Sequence, residues 1–266
     1  MQALAFQGSA FPLSSQGVST VAGKLNVRAP EIWAVLGVET SGCGYLADRR
    51  PQILFERHVF HRLTNGLYDD GDISDATPGG YGPRGAQQYD RLSRAITHDR
   101  EAALQSTSWG LGQIMGFNHK AAGFTDVETM VAAMSGSEDA QLAAMGDFLD
   151  GTNLAPYLQA HDWVSFARRY NGPNYTINRY DVRLNSEYLR YSSGVLPDLT
   201  VRAAQLYLTY LGFHPGLIDG IAGEHTMAAL AEFETRNGLQ PALTIDQTSL
   251  SRLQSALATQ ASGMAA

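Results

Sequence analysis

The stretch that decides the fold is Pro30-Glu-Ile-Trp-Ala-Val-Leu-Gly-Val-Glu-Thr-Ser-Gly42. Proline suits the first turn of a helix, and Ile32, Val35 and Leu36 follow at helical spacing. Glu39 comes seven residues after Ile32, which places it on the same apolar face. Glycine then ends the helix. The pattern predicts a carboxyl group at the end of an apolar helix face, beside a turn whose backbone is open to close approach.

The segments around this helix are mostly helical by pattern. We expect helices over 15–25, 86–105, 126–149, 153–160, 162–170 and 182–190. The run from Gln52 to Phe60 is rich in strand formers, which predicts a strand, in a hairpin with residues 44–48. Residues 65–89 are full of Gly, Asp and Pro and predict a long loop, a feature that is often functional in compact domains.

A linker is predicted at residues 191–197, where Ser, Gly and Pro interrupt the helical pattern. It separates a first domain, residues 1–190, from a second, residues 198–258, which reads as three short helices. The predicted fold class is mainly α, with a small β-hairpin or sheet in the first domain.

The composition is that of a soluble globular protein of 266 residues, with 44% apolar and 17% charged residues. The net charge is −7 and no Lys/Arg cluster stands out, so we expect no nucleic-acid partner. The single cysteine, Cys43, cannot form an internal disulfide.

Neither a secretory signal nor a membrane helix is expected. The N-terminus lacks a basic region and an apolar region of useful length. No stretch approaches the roughly 18 consecutive apolar residues of a spanning helix, so stable membrane insertion is not expected. We therefore expect a monomer that is made and held in the cytoplasm and that leaves it only with the help of another agent.

Three short islands carry a resemblance to known enzymes: Val38–Gly42, Ser108–Met115 and Arg169–Pro173. Their order resembles the lysozyme superfamily that includes goose-type lysozymes and lytic transglycosylases. The first 190 residues more closely resemble the N-acetylmuramidase domain of bacteriophage endolysins, also over Pro51–His58. The resemblance implies a lysozyme-like α+β fold that acts on bacterial peptidoglycan without a metal or cofactor.

The resemblance also implies roles for individual side chains. Glu39 would be the catalytic acid, a role that needs a carboxyl group still protonated near neutral pH; burial among apolar residues supplies that by disfavouring the charged form. Tyr170 would hold or polarise Glu39. The substrate-binding set would be Ser41, Ser108, Gln113, Tyr170 and Asn171.

Other acidic residues compete for roles in the chemistry. Glu101 is the rival acid, although its position on the helical wheel favours a solvated face. Asp48 and Glu56 could supply a second carboxylate, but ion pairs with Arg49 and Arg57 are the plainer interpretation.

Three further side chains leave alternatives open. Trp109 could stack on a sugar or fill the core. Cys43 with His58 or His61 could form a cysteine-peptidase pair. A metal held by Glu56, His58 and His61 is disfavoured, because positions 58 and 61 of a strand face opposite sides.

The second domain resembles the peptidoglycan-binding domain found beside many wall hydrolases. Its Leu211-Gly-Phe213 and Asp219-Gly220 turns carry most of the likeness, and Phe213, Asp219 and Gly220 are the candidate wall-binding residues. Glu234 departs from the pattern, which usually has Gln there. We expect this domain only to bind, so residues 1–193 should still cut peptidoglycan alone.

The sequence thus predicts an endolysin that cleaves the β-1,4 bond between N-acetylmuramic acid and N-acetylglucosamine. The alternatives are a lytic transglycosylase that forms 1,6-anhydro products, a cysteine peptidase or amidase, and an inactive wall-binding protein. Intact Glu39, Gln113 and Tyr170 favour an enzyme over the last of these.

Overall fold

The computed structural model describes residues 5–40, 43–68 and 70–265, with side chains up to residue 260. The helices are α1 Ser15–Leu25, α2 Ala29–Glu39, α3 Arg57–Leu63, α4 Gln88–His98, α5 Arg100–Gln105, α6 Val127–Gly136, α7 Glu138–Gly151, α8 Ala155–Gln159, α9 Trp163–Tyr170, α10 Tyr180–Ser193, α11 Leu199–Tyr210, α12 Glu224–Arg236 and α13 Gln247–Ala265. The strands are β1 Ile53–Phe55, β2 Thr107–Trp109 and β3 Ile114–Met115. The predicted fold class, mainly helical with one small sheet, is confirmed.

Helix α2 is the buried centre of the first domain. Its residues from Glu31 to Leu36, and Val38, are all buried, which is the signature of a helix that is apolar on nearly every side. Helix α10 packs along α2, and α1 packs along both α2 and α7. The sequence predicted one apolar face for α2, whereas the structure buries the helix on nearly every side, with Glu39 as its last residue.

The sheet is antiparallel in the order β1-β2-β3, with Leu54 opposite Ser108 and Ser108 opposite Met115. The predicted strand over 52–60 was wrong beyond Phe55, and so was its hairpin partner: residues 44–48 contribute only an isolated bridge from Tyr45 to Pro51. Residues 57–63 form α3 because the run can bury adjacent Val59 and Phe60 on one helix face.

Two predicted helices are each divided by a capping side chain. Asp99 accepts a hydrogen bond from Ala102 N and begins α5 inside the segment 86–105. Ser137 accepts one from Ala140 N and begins α7 inside the segment 126–149. A side chain that satisfies the first free N–H groups of a helix makes a new start favourable even where the apolar spacing continues.

The second domain consists of α11, α12 and α13, and it is packed onto the first. One hydrophobic cluster joins Ala10, Cys43 and Tyr45 of the first domain to side chains of all three C-terminal helices. Tyr210 of α11 also donates a 3.0 Å hydrogen bond to the carbonyl of Ala10. Helix α10 runs to Ser193, three residues into the predicted linker, and the domain boundaries otherwise stay a prediction. None of the helices in the described ranges is long and apolar enough to cross a membrane.

Candidate active site

Glu39 is the last residue of α2, and Thr40 follows it in an extended conformation. Its side chain is half-buried, but Oε1 is shut off from solvent and has no hydrogen-bond partner within the described residues. Burial raises the pKa of Glu39 to about 8, and the positive charge of Arg183 opposes that rise. The carboxyl group is therefore protonated at neutral pH, the state that a general acid needs.

Helix α10 supplies the positive charge beside this carboxyl group. Arg183 Nη2 donates a 3.0 Å hydrogen bond to the carbonyl of Val38, one residue before the acid. The guanidinium is thus fixed to the end of α2 and favours the carboxylate that remains after proton donation.

The turn after β2 lies within Ser108–Met115, the second of the three segments that resemble known enzymes. Gly110 and Gln113 both have positive φ, +66° and +46°, and Gln113 is a rare non-glycine residue in that region. The Gln113 side chain stays within the turn: Nε2 donates to the carbonyl of Gly110 at 2.8 Å, and Oε1 accepts from Ser108 Oγ at 2.9 Å. Ser108 is itself 5% exposed. Sugar contacts by Gln113 and Ser108 stay a prediction, and a sugar would have to compete with these bonds.

Tyr170, at the end of α9, lies against the same turn. Its hydroxyl donates a 2.6 Å hydrogen bond to the carbonyl of Gly112. Burial, and next the nearby Glu39 carboxylate, raise the pKa of the Tyr170 phenol well above its usual range. Tyr170 is therefore a neighbour of Glu39, as the sequence predicted, but its hydrogen bond holds the turn and not the acid.

Asn171 directly follows α9 and is exposed, with no side-chain hydrogen bond in the described part of the chain. Its amide is free to bind a ligand, which remains the prediction for it. Ser41 lies outside the described residues, so its proposed substrate contact has no structural account.

Glu101, the rival acid, lies in the first turn of α5. It is exposed, and its carboxylate accepts a 3.0 Å hydrogen bond from Gln105 Nε2. The surroundings thus favour Glu39 over Glu101.

Glu56 is a second buried acid, at the N-terminus of α3. Burial raises its pKa to about 7, against the opposing charge of Arg91. Its Oε2 lies 3.2 Å from His58 Nδ1, whereas the expected partner, Arg57, pairs with Asp75 instead. The charged group that influences Glu39 is Arg183, so Glu56 titrates separately from the acid.

Asp48, the other candidate for a second carboxylate, and the indole of Trp109 also have structural partners. Asp48 Oδ2 accepts a 2.9 Å hydrogen bond from Arg50 Nε, so the expected pairing with Arg49 is wrong by one residue. Trp109 is fully buried and its Nε1 donates to the carbonyl of Leu104. Trp109 is therefore a core residue.

Cys43 and the two histidines do not meet. Cys43 Sγ donates to the carbonyl of Tyr45 at 3.0 Å, and burial raises the pKa of this thiol to about 12. His61 contacts Ser74 Oγ and His58 contacts Glu56. The two histidines lie on helix α3 and not on a strand, so the strand argument against a metal was wrong. In the described ranges, no group of three or more His, Cys, Asp and Glu side chains could hold a metal ion.

Two buried polar residues of α7, which the sequence did not single out, support the backbone around the acid. Gln141 Oε1 accepts a 2.8 Å hydrogen bond from Leu111 N, and Glu138 Oε1 accepts one of 2.8 Å from Gly44 N. A Cβ on Gly44 would overlap Gln141 Oε1. The spacing of positions 138 and 141 reads as an ordinary polar helix face, so only their common burial shows their role.

In the second domain, the three candidate binding residues shape the fold. Phe213 is 9% exposed and packs edge-on against Phe233 at 5.7 Å between ring centroids. Buried Gln205 donates to Asp219 Oδ1 and accepts from Gly220 N, which fixes the Asp-Gly turn. Their predicted contact with the wall stays untested.

Glu234, the departure from the usual pattern, also has a structural role. Its carboxylate is fully buried, accepts a 2.6 Å hydrogen bond from Ala242 N, and pairs with Arg252 at 2.9 Å. It secures the chain that leads into α13.

Comparison with known proteins agrees with this geometry. The sequence model of the N-acetylmuramidase family matches residues 28–192, which include Glu39, the 110–113 turn and Tyr170. The chain belongs to the N-acetylmuramidase family. A peptidoglycan binding domain model matches residues 198–241, within the C-terminal domain.

One solved relative is the Burkholderia AP3 phage endolysin, whose crystal structure has 38% sequence identity and a TM-score of 0.62 to this chain. The match covers 68% of this chain and 71% of the endolysin. A comparison with curated proteins found no match. The two domain matches together make the chain a peptidoglycan hydrolase that carries its own peptidoglycan-binding domain.

Proposed function

We propose that the enzyme cleaves the β-1,4 glycosidic bond between N-acetylmuramic acid and N-acetylglucosamine, with Glu39 as the general acid. The observation that carries this proposal is the buried Glu39 Oε1, without a hydrogen-bond partner among the described residues and with its pKa raised to about 8. An acid in this state can donate its proton to the oxygen of the leaving sugar.

Arg183 adjusts the strength of this acid. A carboxyl group that is only buried would hold its proton too tightly, because nothing would stabilise the charge left behind. The Arg183 guanidinium, fixed on the carbonyl of Val38, favours that charge and keeps the pKa near neutral. A catalytic pKa near the working pH is the most effective compromise between these two demands.

The surroundings support catalysis by a single carboxyl group. Among the described residues, the charge that acts on Glu39 is the positive one of Arg183, whereas Glu56 and Asp48 have other partners. The same arrangement also suits a lytic transglycosylase, the second candidate, in which the 6-hydroxyl of the muramic acid attacks in place of water. Hydrolysis and transglycosylation differ in their products and not in the role of Glu39.

The test is the release of reducing ends from purified peptidoglycan by Glu39→Gln. The amide has nearly the same shape but cannot donate a proton, so we expect a loss of about 10²–10⁴-fold with the fold intact. Glu56→Gln is the matched control, since it removes another buried carboxyl group, and Glu101→Gln tests the rival acid. Both should keep most of the activity. An active Glu39→Gln together with an inactive, folded Glu101→Gln would reverse the assignment.

A further inference from the structure

A buried ion pair crosses from the wall-binding domain to the catalytic domain. Arg202 of α11 and Glu138 of α7 are 1% and 0% exposed. They form a bidentate ion pair, in which Arg202 Nη2 lies 2.8 Å from Glu138 Oε1. Arg202 also lies over the ring of Trp33, in the central helix α2, at 5.9 Å. Buried charges are costly unless they are paired, so neither residue is an incidental contact.

Glu138 uses the same carboxylate to hold two backbone segments, one before α1 and one after α2. Oε1 accepts from Gly44 N and Oε2 accepts from Leu13 N, each at 2.8 Å. Gly44 lies five residues after Glu39. Arg202 therefore neutralises the group that anchors the backbone at Gly44.

Gln141 continues the connection one helical turn further along α7. Its Nε2 lies 3.4 Å from the carbonyl of Gly44, and its Oε1 accepts from Leu111 N. Leu111 directly precedes Gly112, whose carbonyl binds the Tyr170 hydroxyl beside Glu39. A continuous set of hydrogen bonds thus joins the wall-binding domain to both backbone segments that flank the acid.

We propose that Arg202 is a positioning residue for the active site, so that the wall-binding domain supports the backbone at Gly44 and Leu111, near Glu39, as well as binding the wall. The proposal rests on the assignment of Glu39 as the acid. Without Arg202, the Glu138 carboxylate is buried without this countercharge, and the turns at Gly44 and Leu111 lose their fixed anchor. The proposal differs from the expectation that the second domain only binds and that residues 1–193 still cut peptidoglycan alone.

The test measures kcat and its pH dependence for full-length variants on soluble peptidoglycan fragments, where attachment to an insoluble wall is not needed. The variants are Arg202→Met and Arg202→Lys, and the matched control is Arg252→Met. Arg252 also pairs with a fully buried glutamate, Glu234, but inside the wall-binding domain alone. Folding is checked by circular dichroism at the assay temperature.

We expect Arg202→Met to lower kcat by about tenfold or more, because small displacements of catalytic groups have large effects on rate. We also expect the decline of its activity at alkaline pH to begin at a lower pH than in the wild type, because loosened backbone at Gly44 and Leu111 admits water to Glu39. The kcat of Arg202→Lys should lie between those of the wild type and Arg202→Met, because lysine keeps the charge but cannot form the bidentate pair. Arg252→Met should keep the wild-type kcat and pH profile.

A folded Arg202→Met with wild-type kcat and an unchanged alkaline limb would overturn the proposal. If that variant does not fold, Arg202→Lys, which keeps the buried charge, takes its place, and wild-type kcat with an unchanged alkaline limb in Arg202→Lys would overturn the proposal equally. Glu39→Gln is assayed in parallel: if it is fully active the proposed function fails, whereas an inactive Glu39→Gln beside a fully active Arg202→Met rejects only the role of Arg202.

Discussion

The hydroxyl of Tyr170 donates a 2.6 Å hydrogen bond to the carbonyl of Gly112, and this bond ties α9 to the turn that carries Gln113. Glu39 is near enough for its charge to raise the pKa of the same phenol, after the larger effect of burial. Tyr170 therefore fixes the turn beside Glu39 without forming a hydrogen bond to the Glu39 carboxyl group.

Tyr170→Phe should lower kcat on peptidoglycan by about tenfold while leaving the protein folded. The ring keeps its stacking on Phe166, at 5.3 Å between centroids, but the turn loses one hydrogen bond, typically about 1 kcal/mol. Steady-state kinetics and a melting curve check this. Wild-type kcat in Tyr170→Phe would show that the turn keeps its position without the bond.

The activity should depend on pH through Glu39. Because burial raises the pKa of this acid to about 8, kcat/KM should stay high through neutral pH and fall as pH rises through about 8. The pKa of Glu56, raised to about 7, predicts a fall nearer 7 if that residue were the acid instead. A profile of kcat/KM for wild type and Glu56→Gln separates the two, since the fall near 8 should persist in the variant.

The stability of the fold should also depend on Glu39. The folded carboxyl group keeps its proton up to about pH 8, whereas the unfolded one loses it near 4.5, so the wild type loses stability as pH rises between these values. Glu39→Gln has no such loss. At 1.36 kcal/mol per pKa unit, the free energy of unfolding of Glu39→Gln should exceed that of the wild type by up to about 3 kcal/mol at pH 7. At pH 4 the two free energies should differ little. Denaturant unfolding at pH 4, 6 and 8 measures this, and a difference independent of pH would contradict it.

Cys43→Ser should keep activity on soluble fragments. The Cys43 thiol is buried with its pKa raised to about 12, so little thiolate exists at neutral pH, and a serine hydroxyl can donate to the same Tyr45 carbonyl. Reducing-end release by Cys43→Ser checks this. Loss of kcat with an unchanged melting temperature would return the cysteine to the list of catalytic residues.

The sequence predicted helix α2 and the position of Glu39 at its end. A long run of apolar residues at helical spacing indicates both that a helix forms and that apolar residues surround its last turn. It was less informative where local pattern is weak. Strands of two or three residues, such as β3 at Ile114–Met115, are too short to show an alternation. The apolar run through Phe60 fits a strand or a helix equally, and only contacts distant in sequence decide between them.

The support of the site could not be predicted because it depends on burial. Glu138, Gln141 and Arg202 look like solvent-facing residues of amphipathic helices, yet all three are at most 1% exposed. Charged and amide side chains are buried when partners satisfy them, and these partners come from chain segments up to 125 residues away. A pattern within one helix contains no information about such partners.

The most direct test of the central claim is mass spectrometry of the fragments that wild-type enzyme releases from purified peptidoglycan, with Glu39→Gln as control. The account predicts fragments that end in a reducing N-acetylmuramic acid, with the stem peptides uncut, and almost none from Glu39→Gln. Fragments lighter by one water would identify the 1,6-anhydro products of a transglycosylase. Cut stem peptides, or the same products from Glu39→Gln, would contradict the account outright.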